Sequence, residues 1–494
     1  MRPTKQEYQR VRLLTIHIKH LLFLGFLVLM CFIGLLWFFR PKTSVVENRD
    51  LTEFPTPTLL GVLDGSFFSD IAIWYADTYP LREGLIDQNA KLQQLYGIRT
   101  QRLVTNGEKA DAIPTGPVDL EALAGQTTEA ADTTQSTAHP APSDTAAPVS
   151  VESGASSPVT TDPQAPETTA FSGHGAADVT GELEKAGNNI YILDGAGYGV
   201  YFFSEKNSAR YCLLVNKLAK NLAGKAQVYS MLCPISAGVM LSDEVRDSTG
   251  SSDENAAAEW FYQNMDPSVK TVSMVNTLRA HNDEYIFFRT DHHWTALGAY
   301  YAYREWCKVK GVTPHELSDF QTYTFDGFLG TFYSSSNKDA SMAAKPDTVT
   351  AYIPNGTNQM QMYVANKDGT FTEYAWRVVN DVSNYAKSQL YAAFAGGDQA
   401  YNYVHNEAIT DGSSVLIVKD SYANAFIPFL IDHYEYIYWI DFRNYKKWCK
   451  WAGYADPSIS ALVERKSIQD VILCQNISIA GSSSALDVME GIFK

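Results

Sequence analysis

SVLIVKDSYANAFIPFLIDHYEYIYWID, Ser414–Asp441, decides how this chain folds. The unbroken apolar run SVLIVK reads as a strand buried on both faces, NAFIPFLIDHY as a helix, and EYIYWID as the next strand. Strand, helix and strand at this spacing make a βαβ unit, whose two strands must run parallel. The alternation continues outward. SARYCLLVNKLAKNLAG reads as a helix, AQVYSMLCPI as a strand, EYIFF as a strand, ALGAYYAYREWCKVKG and SISALVERK as helices, and DVILCQN as a strand. The expectation is an α/β fold with a mostly parallel sheet covered on both faces. The stretch from Phe325 to Tyr391 reads as less regular and is expected to form excursions over one rim of the sheet.

Composition sets further bounds. A chain of 494 residues is long enough for more than one domain. Its net charge of −16, with no dense Lys/Arg patch, excludes nucleic acid as a partner. None of the 6 cysteines forms a CxxC pair and most sit in apolar runs, so buried free thiols are expected rather than a zinc site or a disulfide framework.

The N-terminus carries an uncharged apolar run, Leu21–Phe39, preceded by Arg2, Lys5, Arg10, Arg12 and Lys19 against the single acid Glu7. Length and charge bias predict a transmembrane signal anchor over 21–39. Residues 1–20 then form a cytoplasmic tail, and the protein is placed in the plasma membrane as a single-pass chain with an extracytoplasmic catalytic domain. A cleaved signal peptide is the rival reading, but no small-x-small site follows and FFRPK comes next. Residues 40–107 show helical spacing and read as a stem or the first part of the catalytic domain. Residues 108–183 turn abruptly to Thr, Ala, Pro and Ser and read as a disordered linker. Residues 184–494 are the expected catalytic domain.

Two segments carry the chemistry. RTDHHWTALG, Arg289–Gly298, sets Asp291 one residue from His293 at the junction of EYIFF with the helix from Thr295. That junction is expected at the C-terminal edge of the sheet, where open α/β folds place ligands. An aspartate on Nδ1–H fixes the tautomer and leaves Nε2 as a base. A capping aspartate beside a structural histidine is the plainer alternative. Trp294 is expected to pack beneath the turn as support. Ser421 follows the strand SVLIVK at the start of a helix, where its hydroxyl is exposed and the Tyr422 N–H points at charge forming beside it. An ordinary N-cap is the alternative there. Both segments in one chain favour Ser421 as nucleophile, His293 as base and Asp291 as orienting acid.

Weaker oxyanion or substrate-binding candidates are Asn424, Gly396 and Gly397, for which a helix-surface amide and a tight turn are the alternatives. Asp441 and Arg443 follow the next strand and lie on the rim of Ser421, binding sugar hydroxyls or closing the loop by a salt bridge. His292 receives no chemistry. The remaining histidines complete no ligand set, so neither metal nor cofactor is expected.

TDHHWTALGAYYAY with LIVKDSYANAFIPFL resembles the DHHW protein family of Gram-positive bacteria, as do ENRDLTEFP, YADTYPLREGLI and VYSMLCPISAGVM. That family is similar to the alginate O-acetyltransferase branch of the SGNH hydrolase superfamily. The resemblance implies a flavodoxin-like three-layer α/β/α fold, with a DxHW motif supplying Asp291 and His293 and a GDS-like motif supplying Ser421. Lys419 departs from the glycine of GDS, and the Asp–His pair precedes the serine instead of following it as DxxH. The expected function is a membrane-anchored extracytoplasmic serine acyltransferase or esterase working on O-acetyl groups of a cell-envelope polysaccharide through a Ser-His-Asp triad. A membrane-bound O-acyltransferase supplying acetyl groups is the implied partner. The competing class is a non-catalytic SGNH-like polysaccharide-binding or assembly protein.

Overall fold

The computed structural model describes residues 190–494 without a break, the strand Glu184–Gly187, residues 110–116 and 118–125, and scattered positions between 25 and 80. The chain divides into two units, Met1–Leu95 and Tyr96–Lys494. In the first, Thr43–Ser44 pairs antiparallel with Arg49–Asp50. There the Arg40 guanidinium lies 4.1 Å over the Trp74 ring and donates to Thr78 Oγ1 at 3.0 Å.

The second unit is built on a sheet of 8 strands. In chain order these are β1 (Gln227–Cys233), β2 (Lys270–Thr271), β3 (Gln359–Ala365), β4 (Phe371–Arg377), β5 (Asn402–His405), β6 (Ser414–Lys419), β7 (Tyr436–Asp441) and β8 (Asp470–Asn476). Their order across the sheet is β4-β3-β5-β7-β6-β8-β1-β2. From β7 to β2 the strands run parallel. All of β6 is buried, because Val415–Val418 are apolar on both faces and both faces are covered.

Two long helices do the covering, α1 (Glu205–Asn221) and α2 (Ala296–Lys310). Tyr229 of β1 meets Trp306 of α2 with ring centroids 6.4 Å apart. Tyr229 is in register with Ile472 of β8. Three residues further, Gln475 faces the other side by strand alternation and accepts from the Tyr211 hydroxyl of α1 at 3.2 Å. The helices therefore lie on opposite faces, giving three α/β/α layers. The 5 cysteines in the described region, Cys212, Cys233, Cys307, Cys449 and Cys474, are buried and free.

Several expectations are corrected. The sheet is mixed rather than mostly parallel, since β4, β3 and β5 join its edge antiparallel. β3 and β4 are linked by a tight turn in which Asn366 N–H donates to Thr370 O at 2.8 Å. Gly369 there takes φ +81°, and so short a link can only reverse the chain. Much of the stretch read as irregular is therefore strand. EYIFF is not a strand of the sheet. It folds back on the motif itself, with Phe288 N–H donating to His293 O at 3.2 Å and Thr295 N–H to Ile286 O at 2.9 Å. The helix read in NAFIPFLIDHY is broken into 3-10 turns at Ser421–Ala425 and Ile431–His433 around a short α-helix, Ile427–Leu430. Pro428 has no N–H to continue a regular ladder.

The membrane reading is also corrected. Among the described residues no helix is long and apolar enough to cross a membrane. The expected span over 21–39 lies outside the described residues, apart from Gly25, and no transmembrane helix is supported. With no span among the described residues, the transmembrane helix of the expected fold class is not supported. The single-pass plasma-membrane placement, the extracytoplasmic topology and the membrane as a partner lose their basis too, as does the pairing with a membrane-bound O-acyltransferase. Most of the expected stem, and of the linker from 126 to 183, also lies outside the described residues. Within the start of that linker, Asp111 N–H donates to Phe203 O at 2.9 Å, and the Asp111 carboxylate accepts from Glu205 N–H at the head of α1 at 2.9 Å.

Candidate active site

The loop carrying Asp291 and His293 is held from outside by one buried carboxylate. Asp347, with no exposure, accepts from Arg289 N–H at 2.9 Å, Thr290 N–H at 2.7 Å and the Thr290 hydroxyl at 2.6 Å. The Tyr285 hydroxyl donates to it as well. This fixes the loop where the apolar run of EYIFF had pointed to a strand.

Asp291 is saturated in turn. Its Oδ1 accepts from His293 N–H at 3.0 Å and contacts His293 Nδ1 at 2.6 Å. Its Oδ2 accepts from Thr331 N–H at 2.8 Å and from the Thr331 hydroxyl at 3.0 Å. Neighbouring Gly330 makes this approach possible, because a Cβ there would come within 2.2 Å of Asp291 Oδ2. Burial opposes the charge of Asp291, yet the two histidine rings and the Thr331 bonds hold its carboxyl well below the usual carboxylate range.

Ser421 arrives from the other direction, two residues beyond the end of β6. Asp420 shapes the turn: its Oδ1 accepts from Tyr422 N–H at 3.0 Å and its Oδ2 from Asn476 N–H at 2.9 Å. Ser421 Oγ then lies 2.8 Å from His293 Nε2. An ionised Asp291 can only accept, so His293 carries its proton on Nδ1 and presents a lone pair to the serine hydroxyl. The sequence left open whether these residues meet in space, and the structure brings all three into one relay.

Two aromatics clamp it. Tyr391 stacks on the His293 ring at 3.9 Å and 8°, and its hydroxyl donates to Ser421 O at 3.0 Å. Trp294, fully buried, donates from Nε1 to Tyr422 O at 2.9 Å. It thus ties the motif loop to the serine turn.

The secondary candidates go elsewhere. Asn424 Nδ2 donates one of its two N–H bonds to Asp398 Oδ1 at 3.1 Å, and the Tyr422 N–H is engaged by Asp420. Gly396 and Gly397 follow Ala395 in a run of positive φ, at +68°, +72° and +51° respectively. They are the tight turn that delivers Asp398. Asp441 and Arg443 belong to a buried ion cluster. Arg443 Nη2 lies 2.7 Å from Asp398 and 2.5 Å from Asp441, and Lys419 Nζ lies 2.9 Å from Asp398. Burial opposes the Asp398 charge, but Lys419 and Arg443 drive its carboxyl far down.

Sequence reasoning missed Asp398, Thr331, Gly330 and Tyr391. A lysine ending an apolar strand needs a buried anion, a signal that called for an acid without naming which one. No spacing pattern announces Thr331, 40 residues from Asp291.

His292 also has a place. Its side chain is 30% exposed, its Nδ1 lies 2.6 Å from Thr331 Oγ1, and its ring centroid is 3.8 Å from that of His293. Burial, with His293 alongside, lowers it to about 4. Among the described residues, Asp291, His292 and His293 also form a group with ligand-type atoms, one from each, within 4.8 Å of one another. Such a set can hold a metal ion. The expectation of a membrane-anchored enzyme on cell-envelope O-acetyl groups, working through a Ser-His-Asp triad, is thus corrected on two points. No described helix anchors it, and the motif residues make a metal-competent group as well as a relay, so the arrangement is not specific to a triad.

No protein of curated function matches the chain. Among solved structures, a DHHW family protein from Eubacterium siraeum DSM 15702 is similar at 27% identity and a TM-score of 0.53, over 62% of this chain and 95% of that one. Bacillus cereus PatB1 with a sulfonyl adduct matches at 16% identity and a TM-score of 0.49, over 62% and 99%. The O-acetyltransferase domain of Pseudomonas putida AlgJ matches at 12% identity and a TM-score of 0.34, over 61% and 98%. The likeness of fold rests on the first of these. A family model described as DHHW protein covers residues 47–440, and the chain belongs to the DHHW protein family.

Proposed function

We propose that this chain is an SGNH-like enzyme that acts on ester-linked acyl groups of a polysaccharide, as an O-acetyltransferase or acetylesterase. The observation that carries the reading is the continuous contact from Asp291 through His293 to Ser421, at 2.6 and 2.8 Å. Ser421 Oγ attacks the acyl carbonyl carbon as His293 Nε2 takes its proton. The imidazolium returns that proton to the leaving alcohol oxygen as the ester bond breaks. Asp291, already ionised, stabilises the imidazolium between the two transfers. A sugar hydroxyl or water then attacks the acyl-serine, His293 again takes the proton, and Ser421 Oγ leaves with it. The sequence resemblance to the alginate O-acetyltransferase branch supports polysaccharide as the substrate class and acyl transfer as the reaction.

The test is turnover of p-nitrophenyl acetate by the full chain. Release of p-nitrophenolate that vanishes in Ser421→Ala supports the reading, and unchanged release in that variant overturns it. One observation favours a second reading, a polysaccharide-binding protein without turnover. The Tyr422 N–H and the Asn424 amide, the expected oxyanion donors, are both engaged by aspartates. Glycan binding with no ester turnover in the wild type would replace the first reading with this one.

A further inference from the structure

His292 is the one imidazole of the motif that the proposed reaction leaves unused, and its hydrogen bonds fix what it can do. The Thr331 hydroxyl has a single proton, which goes to Asp291 Oδ2 at 3.0 Å. Thr331 Oγ1 also faces the His292 backbone N–H at 3.4 Å. Having given its proton away, that oxygen can only accept from His292 Nδ1, 2.6 Å distant. His292 is thereby locked as the Nδ1–H tautomer, and its Nε2 is a lone-pair acceptor.

The two imidazoles hang from the same support, His293 by Nδ1 from Asp291 and His292 by Nδ1 from Thr331. The ring centroids are 3.8 Å apart and the planes 37° from parallel, and in each ring Nε2 lies on the edge away from the Nδ1 support. His293 Nε2 meets Ser421 Oγ. His292 remains 30% exposed.

We propose that His292 Nε2 binds a second hydroxyl of the acyl acceptor, so that the preferred acceptor is a vicinal diol offering one hydroxyl to each imidazole. This rests on the reading of Ser421 as an acyl-carrying nucleophile. In the transfer step one hydroxyl gives its proton to His293 Nε2 as its oxygen bonds the acyl carbon, and the bond to Ser421 Oγ breaks as that proton is returned to Oγ. The neighbouring hydroxyl keeps its proton and donates it in a hydrogen bond to His292 Nε2. A ring sugar with adjacent hydroxyls meets this demand; a lone alcohol does not.

The experiment uses the full chain, p-nitrophenyl acetate as donor, and 1,2-ethanediol or 2-methoxyethanol as acceptor, with transferred acetate counted per hydroxyl. Wild type should favour the diol by about three- to tenfold, the worth of one hydrogen bond. His292→Asn, which keeps a donor toward Thr331 but loses Nε2, should bring the ratio to about one. A loss of rate that leaves the ratio intact marks a structural role and overturns the inference, while the reading of Ser421 stands. Absence of any p-nitrophenolate release by wild type removes both. Independently of turnover, long-range ¹H–¹⁵N spectra of histidine-labelled protein should show His292 protonated on Nδ1 alone at neutral pH. Protonation on Nε2 overturns the inference.

Discussion

Asp291 and Asp398 are both buried carboxylates on elements that meet the tip of β6, and both are held ionised, but by different chemistry. Asp398 is neutralised by formal cations, Lys419 and Arg443. Asp291 is held by backbone N–H groups, a threonine hydroxyl and an imidazole. A carboxylate already paired with full charges has little to offer a new one. A carboxylate among neutral donors can still stabilise an imidazolium forming beside it. On the proposed reading, chemistry falls on the Asp291 side and scaffolding on the Asp398 side, although Ser421 and Lys419 are only two residues apart.

The contrast is broken most directly at the relay. Ser421→Ala or His293→Ala should lower ester turnover by about 10⁴- to 10⁶-fold with the urea midpoint nearly unmoved. A large fall in the midpoint would mean that the relay is structural. On the other side, Lys419→Met should destabilise folding by about 3–5 kcal/mol, because it strips a fully buried cation from a buried carboxylate. Adding Asp398→Asn should recover part of that loss in urea unfolding. A neutral Lys419→Met would refute the scaffold role.

Gly330→Ala sharpens the same comparison. Its Cβ invades the space of the Asp291 carboxylate, so displacing the relay should cost about 10²-fold in turnover. Activity within twofold of wild type would show that Asp291 need not sit where it does. Trp294→Phe removes one buried hydrogen bond between the motif loop and the serine turn and should destabilise by about 1 kcal/mol in the same unfolding assay.

A third acid gives the pH dependence its sign. Glu254 has no exposure, accepts from Ile235 N–H at 2.8 Å, and is pushed up to about 8 by burial. An acid with a raised pKa supports folding below its unfolded value of about 4.3, and that support is lost as pH rises. Stability should therefore decline from there through about 8. Glu254→Gln should flatten the decline, read as the difference in Tm between pH 5 and pH 8. An equal decline in both proteins would place its origin elsewhere.

What the sequence makes legible follows from how local the signal is. The parallel strands β6, β7 and β8 show as apolar runs because burial on both faces leaves little room for polar residues except near the strand ends. Asp291, His293 and Ser421 show because each lies in a short motif at an element boundary. EYIFF misleads because its partners are Trp294 and His293, a few residues away, and an apolar run does not name the partner. The break between Ala425 and Ile427 follows from Pro428 and was legible in principle. The antiparallel edge was hidden because β3 and β4 alternate buried and open residues instead of forming apolar runs. Thr331, Tyr391 and Asp398 reach the site across the fold, and no motif spacing records that.

The central claim is that Ser421 is made nucleophilic by His293 and Asp291. It is tested most directly by exposing the full chain to a fluorophosphonate and locating the adduct by peptide mass spectrometry. The account predicts a single adduct on Ser421 that is lost in His293→Ala. An adduct on another residue, or labelling of Ser421 that persists unchanged in His293→Ala, would contradict it.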